Sequence, residues 1–354
     1  MRFSLKLVKI LLLVFIATPV MALTSTAQKQ LPQDGLIVVP SDGTYGPARN
    51  LFTNILDGAE NKIDLSMYQL KDQGMIDALM RAAKRGIKIR IVTEKNPYQH
   101  SYNQDKNNLG GTQQLMQVGV PIQGLAPRFL ENNPKAQAHH KILIVDDTYA
   151  IVMSCNWDTP TLANTRDFAM IISKDKNPKD FQEINHIFES DWHNEPADYK
   201  SESLIIGPDH QREKFINLFS KAKHTIEIYQ QSYNDEKIAK ALEEISRKGI
   251  KIKLLMMPFP FGGKEDGNSS FQNRLIEAGG EVRLVTTRYI HAKVVIIDGK
   301  MAYIGSCNFY PTSLDFNREL GVITQDSSAL KRLKNVFEQD WENAEPKSCQ
   351  FKFL

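Results

Sequence analysis

The chain contains two copies of one pattern. The stretch IDLSMYQLKDQGMIDALMRAAKRGIKIRIV, starting at Ile63, aligns without a gap with IEIYQQSYNDEKIAKALEEISRKGIKIKLL, starting 163 residues later at Ile226. In the first copy Met75, Ala78, Leu79 and Ala82 recur at helical spacing, and in the second Ile238, Ala241, Leu242 and Ile245 do the same. Asp72 and Asp235 stand where a helix needs an N-cap, and Gly86 and Gly249 suit the left-handed residue that ends one. Ile87, Ile89 and Ile91 then alternate with Lys88 and Arg90, the period of a strand. Each half is therefore expected to begin strand, helix, strand. Two βαβ units predict an α/β fold whose sheets are largely parallel and covered by helices.

The repeat runs further. Both halves end alike, in FESDW (188–192) and FEQDW (337–341), read as structural helix ends. AHHKILIVDD, from Ala138, has its counterpart in HAKVVIID, from His291, at an offset of 152. The shorter offset means that the first half carries 11 more residues ahead of its histidines, around APRFLENNPKAQ, a polar loop expected to shape access. The halves meet near Tyr199 to Ser203, giving units 23–200 and 201–354.

Both copies fit H-x-K-x-x-x-x-D: His139, Lys141 and Asp146, then His291, Lys293 and Asp298. Each is followed by Ser-Cys-Asn (154–156 and 306–308) and by an Arg-carboxylate pair, Arg166-Asp167 and Arg318-Glu319. Residues at i and i+2 of a strand share a face, so His139 projects with Lys141 and His291 with Lys293. Ser154 and Asn156, and Ser306 and Asn308, pair in the same way, as donors for a substrate phosphate. A nucleophile or acid, a cation and hydrogen-bond donors aimed into one space suit phosphoryl chemistry. ILIV and VVII read as strands buried on both faces, a rigid base for such a site. Asp146 and Asp298 follow their histidines at an odd separation of seven, so they read as structural turn residues. Arg166 and Arg318 fit phosphate binding and pairing with acids equally well.

The doubled motif resembles the phospholipase D superfamily, whose signature is two H-x-K-x-x-x-x-D segments, each followed by a Gly-Ser-x-Asn-like segment. The resemblance spans essentially residues 23–354. It implies two similar α-β-α sandwich halves with mixed, mostly parallel sheets, related by a pseudo-twofold axis and sharing one site. It also implies cleavage of phosphodiesters through a phosphohistidine, with no metal or other cofactor. By that analogy His139 is the nucleophile and His291 the acid, then base. Asp167 and Glu319, each 28 residues after its own half's histidine, hold the imidazoles. Lys141 and Lys293 would take the non-bridging oxygens as point charges. Met153 stands where the family, and Gly305 in the second half, have glycine, a departure bearing on phosphate access.

Composition narrows the substrate. MRFSLKLVKILLLVFIATPVMA places Arg2, Lys6 and Lys9 ahead of an apolar run, the pattern of a signal peptide cut after Ala22, so export to the periplasm or beyond is expected. Without residues 1–22 the formal charge of +3 becomes zero, which leaves no broad basic field for a long nucleic acid. The reading is thus an exported phospholipase D-type hydrolase acting on phospholipid at a membrane surface, releasing phosphatidic acid, with transfer to an alcohol as in cardiolipin synthases also open. A metal-independent endonuclease and a non-catalytic lipid-binding protein are the alternatives. One chain supplies both motifs, so a monomer suffices. Cys155, Cys307 and Cys349 are too few for a disulfide framework, and the first two are read as packed thiols. His140, opposite in face to His139, reads as a packing or surface residue, because adjacent strand residues diverge too far to share a metal.

Overall fold

The computed structural model describes residues 31–95, 97, 109–260 and 267–348. The signal peptide expected over 1–22, and Cys349, lie outside the described residues. The first half runs β1 (Leu36–Val39), α1 (Ala48–Asp57), β2 (Lys62–Met67), α2 (Gln73–Lys84), β3 (Lys88–Thr93), α3 (Leu109–Gln117) and β4 (Ile122–Gln123). It continues with α4 (Pro127–Asn132), β5 (Ile142–Val145), β6 (Tyr149–Met153), α5 (Thr159–Asn164), β7 (Thr165–Ser173) and α6 (Pro178–His193). The second half opens with β8 (Leu204–Ile206), α7 (Gln211–Ser220), β9 (Thr225–Tyr229), α8 (Glu236–Arg247), β10 (Lys251–Met256), α9 (Asn268–Glu277) and β11 (Glu281–Leu284). It closes with β12 (Tyr289–Ile290), β13 (Lys293–Ile297), β14 (Met301–Gly305), α10 (Pro311–Asp315), β15 (Leu320–Thr324), α11 (Ser327–Glu342) and β16 (Glu345–Pro346).

The repeated units fold alike for the reasons their sequences give. Asp72 and Asp235 cap α2 and α8, accepting from the backbone N–H of Met75 and Ile238. Gly86 and Gly249 carry φ of +86° and +91°, the left-handed turn from helix into strand. A strand and a helix precede each unit, β1 with α1 and β8 with α7, so neither half begins at its βαβ segment as the repeat suggested. The polar stretch before His139 also contains a helix, α4, whose Phe129 is buried.

Two eight-stranded sheets form, ordered β1-β7-β6-β5-β2-β3-β4 and β16-β11-β10-β9-β13-β14-β15-β8. Both are mixed, but mostly parallel pairing is corrected: parallel pairs within each half are confined to β2-β3-β4 and β9-β10-β11. The cause is local. Only three residues separate β5 from β6 and β13 from β14, and so short a connection returns the chain antiparallel. β12 is the exception to the division into halves. It leaves its own sheet and pairs in parallel with β7, becoming the eighth strand of the first sheet.

Alternation along the motif strands divides the core. Ile142 and Ile144 of β5, with Val294 and Ile296 of β13, enter one cluster built from both halves, with Phe168, Phe188, Tyr229, Phe337 and Trp341. Leu143 and Val145 face a separate core under the first sheet, and Val295 and Ile297 one under the second. The shared cluster includes a Phe168–Tyr229 contact at 5.3 Å between ring centroids, with Tyr229 against Phe337 at 5.0 Å. α6 and α11, which carry the repeated Asp-Trp endings, pack into it. Among the described residues no helix is long and apolar enough to cross a membrane.

The motif aspartates sit in the β5–β6 and β13–β14 turns at φ of +52°. The Asp146 carboxylate accepts from the backbone N–H of Glu60, Asn61 and Lys62 at 2.6–2.9 Å, and Asp298 from Lys223, His224 and Thr225 at 2.8 Å. Each tethers the motif hairpin to the entry of the neighbouring strand. Asp298→Ala removes three charge-assisted hydrogen bonds at a partly solvated site, and stability is expected to fall by about 2 kcal/mol. Thermal melting checks this; an unchanged midpoint would contradict the anchoring role.

Candidate active site

His139 and His291 line one cavity of about 800 Å³ between the halves. Neither is placed by its own half alone. His139 lies on the extended lead-in to β5, where its N–H donates to the Arg318 carbonyl at 3.0 Å and Ala138 bridges Arg318 in parallel. His291 follows β12, and its N–H and that of Ala292 donate to the Arg166 carbonyl at 3.2 and 2.9 Å.

The carboxylates cross. His139 Nδ1 bonds Glu319 Oε2 at 2.8 Å, and His291 Nδ1 bonds Asp167 Oδ1 at 2.9 Å. The two acids singled out from the sequence do meet imidazoles, but each meets the histidine of the opposite half. The reason lies in the backbone: Arg166 and Arg318 dock on the other half's motif, so the next residue reaches that motif's histidine. A symmetric repeat carries no signal to distinguish the two pairings.

The arginine side chains lock the same junction. Arg166 Nε pairs with Asp340 at 2.6 Å, and Arg318 Nε with Asp191 at 2.8 Å, again across the halves. Asp340 also accepts from the Tyr229 hydroxyl at 2.8 Å, and Asp191 from Arg128 at 2.5 Å. Both Asp-Trp endings thus supply acids to buried arginines, which settles Arg166 and Arg318 as ion-pair partners in this structure. His140 is buried on this side, with Nε2 3.4 Å from Asp191, and burial pushes its pKa down to about 4. It points away from the cavity that His139 lines.

Ser154 and Ser306 are corrections. Neither lines the cavity: Ser154 Oγ donates to Asp167 at 2.6 Å and Ser306 Oγ to Glu319 at 2.5 Å. β6 ends at Met153 and β14 at Gly305, so strand alternation does not continue through Ser-Cys-Asn. Thr165 and Ser313, which the sequence reading missed, complete the carboxylates with bonds of 2.7 and 2.6 Å. They are not equivalent positions of the repeat, and so left no paired signal. Asn156 and Asn308 do line the cavity.

Cys155 and Cys307 are free and buried in the two outer cores. Met153 is buried there as well, away from the cavity. At Gly305 a Cβ would collide with the Gly321 backbone and the Tyr303 hydroxyl, which occupies that space in the second half. With Ile151 in place of Tyr303 and Ala169 in place of Gly321, the first half has room for methionine.

The electrostatics follow from burial. His139 is pushed down to about 3 by desolvation, with Lys141 and Lys293 adding to the effect against Glu319. His291 is lowered for the same leading reason, against Asp167. Burial would raise both carboxylates, yet the facing imidazoles, the nearest lysine and a serine hydroxyl outweigh it and hold them below their usual values. Ionised carboxylates accept only, so each Nδ1 carries the proton and each Nε2 keeps its lone pair. Lys141 and Lys293, fully buried, are lowered by desolvation to about 8 and about 7. Each ammonium bonds the carbonyl of its motif histidine, and Lys293 also reaches Gln231 Oε1 at 3.3 Å. On the first half's side, the Tyr68 ring meets His139 edge-on at 4.7 Å and lies 5.2 Å from the Lys141 ammonium.

Residues 52–192 and 215–341 match the family described as cardiolipin synthase, PLD-like domain, well over half of the chain. The probable cardiolipin synthase YwiE of Bacillus subtilis (strain 168) is 25% identical over 324 residues, 81% of this chain and 62% of that protein. The chain therefore spans less than two thirds of that relative's length. Among solved structures, the phosphatidylserine synthase of Haemophilus influenzae Rd KW20 superposes with a TM-score of 0.65 at 13% identity, covering 91% of each chain. A polyphosphate kinase from Porphyromonas gingivalis gives 0.62 at 16% identity over 86% of this chain and 50% of its own. At these identities the likeness is one of fold.

Neither lysine lines the cavity, and their lowered pKa values provide a test of whether they act as the counter-charges of a bound anion. As pH rises through about 7 Lys293 sheds its proton in the free protein, and through about 8 Lys141 does. Affinity for dimethyl phosphate, whose single charge is constant over this range, is expected to fall at least about tenfold between pH 6 and pH 9. Calorimetric titration measures it, and a flat profile would exclude the lysines as the anion's counter-charges.

Proposed function

The chain belongs to the phospholipase D superfamily, in the family of cardiolipin synthase PLD-like domains, and on that premise we propose that it cleaves phospholipid phosphodiesters through a phosphohistidine. The observation that carries this reading is the pair of imidazoles in one cavity, each with Nδ1 held by the other half's carboxylate.

With both histidines neutral, the two lysines balance Asp167 and Glu319. A diester monoanion entering this set favours one added proton, which restores neutrality and supplies the acid. His139 Nε2 then attacks phosphorus, the phosphorus–nitrogen bond forms, and the bond to the alcohol oxygen breaks as His291 Nε2 donates its proton to that oxygen. In the second step His291 takes a proton from the incoming hydroxyl, whose oxygen bonds phosphorus while the phosphorus–nitrogen bond breaks. Lys141 and Lys293 hold the non-bridging oxygens throughout.

The incoming hydroxyl decides the product. Water gives phosphatidic acid, as the phospholipase reading of the sequence has it; an alcohol gives a new diester. The relatives' description as cardiolipin synthases supports transfer to an alcohol. Residues 1–22 support an exported location, which a mature N-terminus at Leu23 would bear out and a retained Met1 would not.

The test incubates the protein with phosphatidylglycerol vesicles and, separately, plasmid DNA, with and without EDTA. Lipid turnover that EDTA does not affect is expected, with an acid-labile phosphoenzyme. His139→Asn and His291→Asn are each expected to lower turnover at least about 10³-fold. Cleavage of DNA alone would replace the lipid reading with a nuclease, EDTA sensitivity would sink the metal-free route, and inert protein would favour lipid binding without catalysis.

A further inference from the structure

The residues beside the two motif lysines are exchanged between the halves. Position 68 matches 231 in the repeat, and position 137, two residues ahead of His139, matches 289, two ahead of His291. The first half has tyrosine and then glutamine there, Tyr68 and Gln137; the second has Gln231 and then Tyr289. All four line the cavity. Lys141 is consequently backed by the Tyr68 ring, 5.2 Å from its ammonium, whereas Lys293 meets the Gln231 carboxamide oxygen at 3.3 Å.

The hydrogen bonds of the second half run in one direction only. A proline carbonyl can only accept, so the Tyr289 hydroxyl gives its one proton to Pro260, in the loop after β10. That hydroxyl is then an acceptor for the Gln231 amide nitrogen, which donates to it at 2.8 Å. The amide is thereby turned with Oε1 toward Lys293, whose ammonium has donors and no acceptor. Among the described residues Lys293 donates to the His291 carbonyl and to Gln231 Oε1, and only the second is a side chain. The charged and titratable groups around it are Asp167 and Glu319, which favour the ammonium, Lys141, which opposes it, the buried Cys307 thiol, and neutral His291 two residues before it. Desolvation outweighs the two carboxylates and lowers Lys293, so an oriented acceptor acts where the charge is least secure.

We propose that Gln231, oriented by Tyr289, is a positioning residue that keeps Lys293 in place as an ammonium for the reaction. The assignment rests on the phosphodiester reading above, in which Lys293 serves as a counter-charge. Gln231 acts through Lys293, and Tyr289 acts through Gln231. The exchanged tyrosine and glutamine give the two lysines different supports: a fixed acceptor for Lys293 and a ring face for Lys141.

Side-chain nitrogen titration of the lysine-labelled full chain tests this. In Gln231→Met the amide acceptor is gone and the Lys293 midpoint is expected to fall by about one pH unit, the worth of one hydrogen bond to a charged group. Gln231→Glu supplies a charged acceptor and should raise the midpoint by a similar amount, a reversal of sign that a loss of packing alone would not produce. Tyr289→Phe should shift Lys293 in the same direction as Gln231→Met but by less. Lys141 should move less than Lys293 in every variant. The alkaline limb of turnover on phosphatidylglycerol vesicles should follow Lys293 down in Gln231→Met and up in Gln231→Glu. A Lys293 midpoint that stays in place, or moves the same way in both Gln231 variants, would overturn the proposal, as would a turnover limb that ignores a moving Lys293. Opposite shifts of Lys293 in a protein that turns over no phosphodiester would uphold the support of Lys293 by Gln231 and remove the phosphodiester reading instead.

Discussion

The structure depends on an exchange of buried charge between its halves. Glu319 holds His139, Asp167 holds His291, Asp191 holds Arg318 and Asp340 holds Arg166, and each of these contacts joins one half to the other. Removing one member of such a pair would strand a desolvated charge, a penalty of several kcal/mol, whereas the intact set is compensated. Neither half can therefore hold its own functional groups in their working state. Beneath the charges, Phe168, Tyr229 and Phe337 form an apolar cluster common to both halves, so packing and electrostatics enforce the same docking.

This arrangement explains which parts of the molecule were legible in the sequence. Asp72 and Asp235 as caps, Gly86 and Gly249 as left-handed turns, and the doubly buried ILIV and VVII strands follow from local spacing. The structure reproduces all of them. The duplicated histidines and lysines were visible because repetition made them so. The crossing of Asp167 and Glu319 was hidden for the same reason, since a repeat is compatible with pairing inside a half or between halves. Ser154 and Ser306 were misread because the strand alternation used for them ends one residue earlier. Thr165 and Ser313 do the same work from different places in the two halves, and a pattern search cannot find what is not repeated.

The departures from symmetry carry as much of the functional argument as the symmetry does. Tyr68 against His139 and Gln231 against Lys293 occupy equivalent positions, yet one gives its histidine an aromatic neighbour and the other gives its lysine a polar anchor. β12, lent by the second half to the first sheet, places Tyr289 and His291 at the cavity. The 11 additional residues of the first half contribute Lys135 and Gln137 to the lining while α4 braces Asp191 through Arg128.

The crossed pairing is tested most directly by the ring nitrogen shifts of His139 and His291 in histidine-labelled protein, with Glu319→Gln compared against the unaltered chain. Replacing the carboxylate with an amide weakens the bond at the imidazole it faces. The crossed arrangement predicts that the His139 Nδ1 signal moves and that of His291 stays in place. Movement of His291 Nδ1 alone, with His139 unaffected, would contradict it.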